Sequence, residues 1–125
     1  MKEADLKKTV IDLLQYKQNL GELVFFRLNS GDFIEVRGDT RRRIKGCMKG
    51  CADILVLRKN KYADIVYPKV LFLELKSEKG KQTLEQKEFQ QLVTGDGISY
   101  YIIRSIEEVE SLLKEVKGGE NGQYC

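Results

Sequence analysis

The chain has 125 residues, 42% of them hydrophobic and 33% charged, with a formal net charge of +3. That length suits one domain with a modest core that needs no disulfide, and no apolar run approaches the roughly 20 residues of a membrane-spanning helix. Cys47, Cys51 and Cys125 are the only cysteines and there is no histidine, a set too poor for a structural zinc site; the charged start MKEADLKK and the odd cysteine count predict reduced thiols in the cytoplasm.

From Glu3 to about Asn19, Leu6, Val10, Leu13 and Leu14 fall at helical spacing. Glu3 continues that apolar face one turn earlier, where a carboxylate either favours the helix dipole or is aimed at a site. Gly21 ends the helix, Leu23 to Asn29 reads as a strand, Ser30-Gly31-Asp32 as a turn, and Phe33 to Arg37 as a second extended piece. Arg27 and Asn29, two apart, share a strand face and are candidates for contact with phosphate or with nearby loops.

Gly38 to Lys49 has no clear period and predicts an irregular loop, mobile until it meets a partner. Between Arg37 and Gly50 lie Arg37, Arg41, Arg42, Arg43, Lys45 and Lys49 against Asp39, a net of +5 that leaves −2 for the rest of the chain. A concentration of that kind attracts a nucleic-acid backbone, or it is simply a solvated loop.

Two apolar runs follow, Ala52 to Leu57 and Val70 to Leu75, with Lys59-Asn60-Lys61 as a turn between them. Tyr62 to Tyr67 could add a strand of its own, ending before Pro68. Each apolar run carries an acid, Asp53 at the head of the first and Glu74 near the end of the second. On a strand, Glu74 and Lys76 point to one side while Leu71, Leu73 and Leu75 point to the other.

Paired in one sheet, Asp53 and Glu74 would repel unless a cation lay between them. Hard oxygen donors select Mg²⁺ or Mn²⁺, which take one or two carboxylates and leave other positions to water and phosphate. Asp53 and Glu74 would then be ligands, with the Leu75 carbonyl as a third and Lys76 placed to handle a water. The plainer alternative makes Asp53 a turn terminator and Glu74 with Lys76 a solvated ion pair on an edge strand, worth under about 1 kcal/mol.

Ser77 to Lys81 is polar, with Lys79 and Lys81 able to meet phosphate. Thr83-Leu84-Glu85-Gln86 is a capping box opening a helix, which gives Gln86 a structural task. Gln86 also shares a helix face with Phe89, Gln90 and Val93, the side that packs toward the sheet. Gly95-Asp96-Gly97 reads as a turn, Ile98 to Arg104 as a strand, and Ser105 to about Val116 as a closing helix with a second capping box at Ser105 and Glu108. The domain is expected to span residues 1–117, with 118–125 as a frayed tail.

Asp53, a hydrophobic hairpin and then Glu74-Leu75-Lys76 resemble the PD-(D/E)XK nuclease motif. The flanking residues resemble one branch of it, the VRR-NUC (virus-type replication-repair nuclease) domain, through Glu3, Arg27-Leu28-Asn29-Ser30-Gly31, Gly50-Cys51-Ala52-Asp53, Glu74-Leu75-Lys76, and Gly80 followed by Thr83-Leu84-Glu85-Gln86. These elements run in the family's order from Glu3 to about Val116; Ala52 stands where the family often has Pro.

The resemblance implies an α/β fold, a mixed β-sheet flanked by α-helices, and a Mg²⁺- or Mn²⁺-dependent endonuclease with Asp53, Glu74, Lys76, Gln86 and Glu3 as its catalytic set. Glu3 would join Asp53, Glu74 and the Leu75 carbonyl around the metal, directly or through water, and Gln86 would reach the scissile phosphate or a metal-bound water. Arg27, Asn29, Arg41, Arg42, Arg43, Lys45, Lys49, Lys79 and Lys81 would bind DNA. It further implies cleavage of four-way (Holliday) junctions by a homodimer, in the cytoplasm at the nucleoid; a restriction-type enzyme or a non-catalytic DNA-binding module are the alternatives.

Overall fold

The computed structural model describes residues 2–28, 32–59 and 69–114. Asn29, the Ser30-Gly31 part of the expected turn, the segment 60–68 with its possible extra strand and Pro68, and the tail 118–125 with Cys125 lie outside the described residues.

Helix α1 spans Glu3–Asn19 and buries Leu6, Val10 and Leu14, one residue per turn on a single stripe. Four strands form the main sheet: β1 (Leu23–Arg27), β4 (Ile54–Arg58), β5 (Lys69–Leu75) and β6 (Ile98–Ile103), side by side in that order. β1 and β5 both run antiparallel to β4, whereas β6 is parallel to β5. A parallel neighbour requires a crossover, and helix α2 (Leu84–Val93) supplies it. The sheet is therefore mixed, in an α/β fold with three helices, as expected. No helix among the described residues is long and apolar enough to cross a membrane.

Alternation along β5 sends Leu71, Leu73 and Leu75 to one face, where they pack with Ile54 and Val56 of β4 against α1 and helix α3 (Ile106–Lys114). The opposite face carries Phe72 and Glu74 and is covered by α2, whose Phe89 meets Phe72 edge-on at 5.2 Å between ring centroids. The second capping box forms only in half: Ser105 Oγ accepts from the Glu108 amide at 3.4 Å, but the Glu108 carboxylate accepts from the Arg104 amide (3.0 Å) instead of that of Ser105.

One expectation is corrected. Gly38 to Lys49 is not an irregular loop: Thr40–Lys45 is a strand, β3, paired antiparallel with β2 (Asp32–Arg37) in a separate two-stranded ribbon. The turn between them has two residues, Gly38 and Asp39, with Gly38 at φ 56, where a two-residue hairpin of the II′ kind needs a positive φ at its first position. The ribbon escapes a reading by periodicity because periodicity reports a buried face. Arg41 and Arg42 on β3 are exposed, as are Ile34 and Val36 opposite.

Arg58, buried at the end of β4, donates through Nη1 to the Leu112 carbonyl (2.8 Å) and through Nη2 to that of Leu113 (2.6 Å). It thus ties the sheet to the C-terminal end of α3, whose last carbonyls have no partner within the helix and carry its negative dipole end. Arg58→Ala should lower unfolding free energy by about 2–4 kcal/mol in urea denaturation. Arg58→Met keeps an apolar stem and should lose most of the same amount; wild-type stability in the Met variant would show that the two carbonyl bonds contribute little.

Candidate active site

Asp53 stands at the residue before β4 and is held from both sides. Its amide donates to the Leu73 carbonyl of β5 (3.0 Å), and its carbonyl accepts from Leu28 beyond β1 (2.8 Å). Its carboxylate Oδ2 accepts from the Leu75 amide at 2.7 Å. The side chain is thereby locked against the strand that carries Glu74.

Glu74 lies on β5, between β4 and β6, and is 3% exposed. It is therefore neither solvated nor on an edge strand, which removes the plainer sequence reading. Its Oε2 accepts from Gln86 Nε2 at 2.9 Å and faces Lys76 Nζ at 3.8 Å. Its Oε1 is buried with no hydrogen-bond partner among the described residues. Lys76 follows β5, anchored by its amide on the Ile103 carbonyl (2.9 Å), with its side chain only 12% exposed.

Gln86 closes the capping box and also reaches Glu74. Its Oε1 accepts from the Thr83 amide (2.8 Å) while its own amide donates to Thr83 Oγ1 (3.2 Å), closing the capping box. The remaining NH₂ group is thereby aimed at Glu74. Gly50 makes this approach possible: at φ 80 it sits so close to the first turn of α2 that a Cβ would collide with the Glu85 carbonyl. The loop into Asp53 and the helix bearing Gln86 consequently converge on Glu74.

Burial pushes the Glu74 carboxyl up to about 8; the neighbouring Asp53 raises it further, Lys76 opposes the shift, and Glu3 adds a smaller repulsion. Glu3, exposed at the start of α1, is thus within electrostatic reach of the pair. An unpartnered buried oxygen beside a second carboxylate suits a divalent cation, which would offset the repulsion. Among the described residues no group of three or more acidic, histidine or cysteine side chains is placed to hold a metal. Two carboxylates, completed by water and phosphate, match what Mg²⁺ takes from a protein.

Two contributions escaped sequence reasoning. Tyr100 of β6 pairs with Phe72, on the face that carries Glu74, and its hydroxyl accepts from Gln82 Nε2 at 3.2 Å; burial pushes its phenol up to about 12, against the Gln82 bond and with help from both carboxylates. Arg104 Nη1 donates to the Ser77 and Gly80 carbonyls (2.8 and 2.7 Å), fixing the loop that leaves Lys76. Cys47 and Cys51 are free, and the Cys51 thiol is pushed up to about 12 by burial and by its neighbour Cys47. Tyr100 and Arg104 belong to segments that read as an ordinary strand and its end, so nothing local marks them.

Of the residues expected to meet DNA, Arg27, Arg41, Arg42, Lys49, Lys79 and Lys81 are exposed. Arg43 and Lys45 occupy β3, their side chains outside what is described, and Asn29 lies outside the described residues. Comparison with known protein families, curated proteins and solved structures returns no match for this chain.

Glu74 also sets a pH dependence. Its folded form holds a proton that the unfolded chain, with an ordinary value of 4.5, releases. The stability this contributes is complete below about pH 4.5 and is lost as pH rises toward 8. In EDTA, unfolding free energy should fall by a few kcal/mol across that window, and Glu74→Gln should flatten the fall. An equal slope in the variant would place the linked proton elsewhere.

Proposed function

We propose that this chain is a divalent-metal-dependent DNA endonuclease of the PD-(D/E)XK type, close in plan to VRR-NUC domains. The observation that carries the reading is the Asp53–Glu74 pair at neighbouring strands, Asp53 half-buried and Glu74 buried, with Glu74 Oε1 unpartnered among the described residues and Lys76 Nζ and Gln86 Nε2 on its other oxygen. Asp53 and Glu74 would hold Mg²⁺ or Mn²⁺, with the Leu75 carbonyl and Glu3 completing the protein's share. Bound there, the ion would supply Lewis-acid stabilisation of phosphate charge and acidify a water.

The protein's own side chains account for the rest. Lys76, an ammonium held against Glu74, donates to the attacking water or to a phosphate oxygen, offsetting charge that grows as the phosphodiester is attacked in line. Gln86, rigid because its carbonyl is committed to the helix cap, orients that water with its NH₂ group. Arg27, Arg41, Arg42, Lys49, Lys79 and Lys81 draw the DNA backbone toward the acids, which alone would repel it.

The preferred substrate on this reading is a four-way junction, cut by a homodimer because two symmetric strands need two incisions. Nuclease chemistry and location at the nucleoid follow from the same resemblance.

Purified protein with a labelled four-way junction and a matched linear duplex, in Mg²⁺ or EDTA, tests the reading directly. Junction cleavage only with metal is expected, and Asp53→Ala or Glu74→Ala should lower it by at least about 10³-fold while binding stays intact or tightens. Cleavage retained in either variant refutes the site. Cutting of linear duplex at one sequence would instead indicate a restriction-type enzyme, and binding without cleavage a DNA-binding module.

The basic cluster has its own readout. Neutralising Arg41, Arg42 and Arg43 to Gln together should weaken binding to every DNA and reduce the slope of log affinity against log salt by about 2 to 3. An unchanged slope would remove the ribbon from the interface.

A further inference from the structure

The ribbon has two unlike faces. Residues directly opposite in an antiparallel pair share a face, so register places Glu35, Arg37 and Arg42 together and sets Val36 beside Arg41 on the other side with Ile34. On the first face one carboxylate serves both cations: Glu35 meets Arg37 at 2.8 Å and Arg42 at 3.7 Å. On the second, Ile34 and Val36 are 66% and 61% exposed, and Arg41 forms no ion pair among the described residues.

Scattered surface aliphatics are ordinary, but these two stand in a row and, among the described residues, belong to neither core cluster. A two-stranded ribbon of its own is marginally stable in water, so its exposed apolar face is best explained by something that covers it. A partner matching that face must offer apolar surface and negative charge together. Phosphate alone would make no use of Ile34 and Val36; an apolar protein surface would leave Arg41 desolvated without a partner.

DNA offers both, but continuous duplex hides its base faces by stacking. At a branch point the flanking base pairs have an unstacked side, and aliphatic wedges inserted at base steps are an established way for proteins to hold distorted DNA. A β-ribbon is also narrow enough to enter a groove. Resting on the DNA-cleaving reading above, we propose that the Ile34–Val36 face packs on the open base pairs at a DNA branch point, with Arg41 on the adjoining phosphate, and thereby selects branched over linear DNA.

The test measures binding of the whole protein in EDTA, by fluorescence anisotropy, to a four-way junction and its matched linear duplex. Ile34→Thr with Val36→Thr keeps β-branched residues at two exposed strand positions, so pairing of the ribbon is retained. The double variant should lose about ten-fold or more in junction affinity and less than about two-fold on linear duplex, with the salt slope unchanged because no phosphate contact is removed. A 2-aminopurine at the branch point should brighten on binding wild type and less with the variant.

Equal losses on both DNAs, or no loss on either, overturn the proposal. So does a wild-type dimer that the double variant converts to monomer in gel filtration, since a second copy would then be what covers the face. Wild-type protein that binds neither DNA overturns the DNA reading as well, whereas a junction bound equally by wild type and variant overturns only the wedge.

Discussion

A buried carboxylate set beside a second, half-buried one is the constraint on which this structure depends. Taking a carboxylate out of water costs several kcal/mol even after relaxation, and a second one beside it adds repulsion instead of relief. The fold nonetheless fixes both rigidly. Asp53 is tied through its backbone to Leu28 and Leu73 and through its carboxylate to the Leu75 amide, while Glu74 rides on a strand with neighbours on both sides. At Glu74, Lys76 and Gln86 offset the cost, both on the same oxygen. A core optimised for stability alone would have put an apolar residue at either position.

The surroundings make sense as supports for that strained pair. Gly50 lets the loop into Asp53 touch the first turn of α2, and the capping box turns Gln86 from a long flexible amide into a fixed donor. Arg104 fastens the loop after Lys76 by its carbonyls. On the far side of the sheet, the aliphatic stripe of α1 and the Arg58 bond to α3 hold the strands that present the acids. Each interaction removes freedom from a group that would otherwise move to lower the local repulsion.

Much of this was legible in the sequence because it is local. The alternation in Val70 to Leu75 put Glu74 and Lys76 opposite three leucines, the stripe in α1 followed from spacing, and the capping box is four consecutive residues. What was not legible depends on partners far along the chain. Arg58 and its carbonyl acceptors are 54 and 55 residues apart, and Arg104 is 27 residues from Ser77. Glu74 could be mistaken for an edge residue because only the crossover through α2, which lays β6 alongside β5, puts that strand inside the sheet. Strand β3, and with it the hairpin, was hidden for a different reason: its described side chains, Thr40, Arg41 and Arg42, are exposed, so they give hydropathy no period to report, and its pairing resides in backbone hydrogen bonds that any sequence can make.

The same contrast divides the molecule's physical tasks. Precision at the carboxylates requires rigid elements, so Glu74 sits on a central strand beneath a helix with Asp53 at the head of the next, in a low-dielectric setting where charge acts strongly. The positive charge lies elsewhere, on an exposed ribbon and on surface loops, where solvent and salt screen it and it acts over about a Debye length of 8–10 Å. Had the arginines of β3 been packed beside Asp53 and Glu74, they would have neutralised the acids and closed them to any cation. Separation onto an independent ribbon leaves Lys76 as the cation beside Glu74 and, on the nuclease reading, would counter the repulsion that the acids exert on an approaching polyanion.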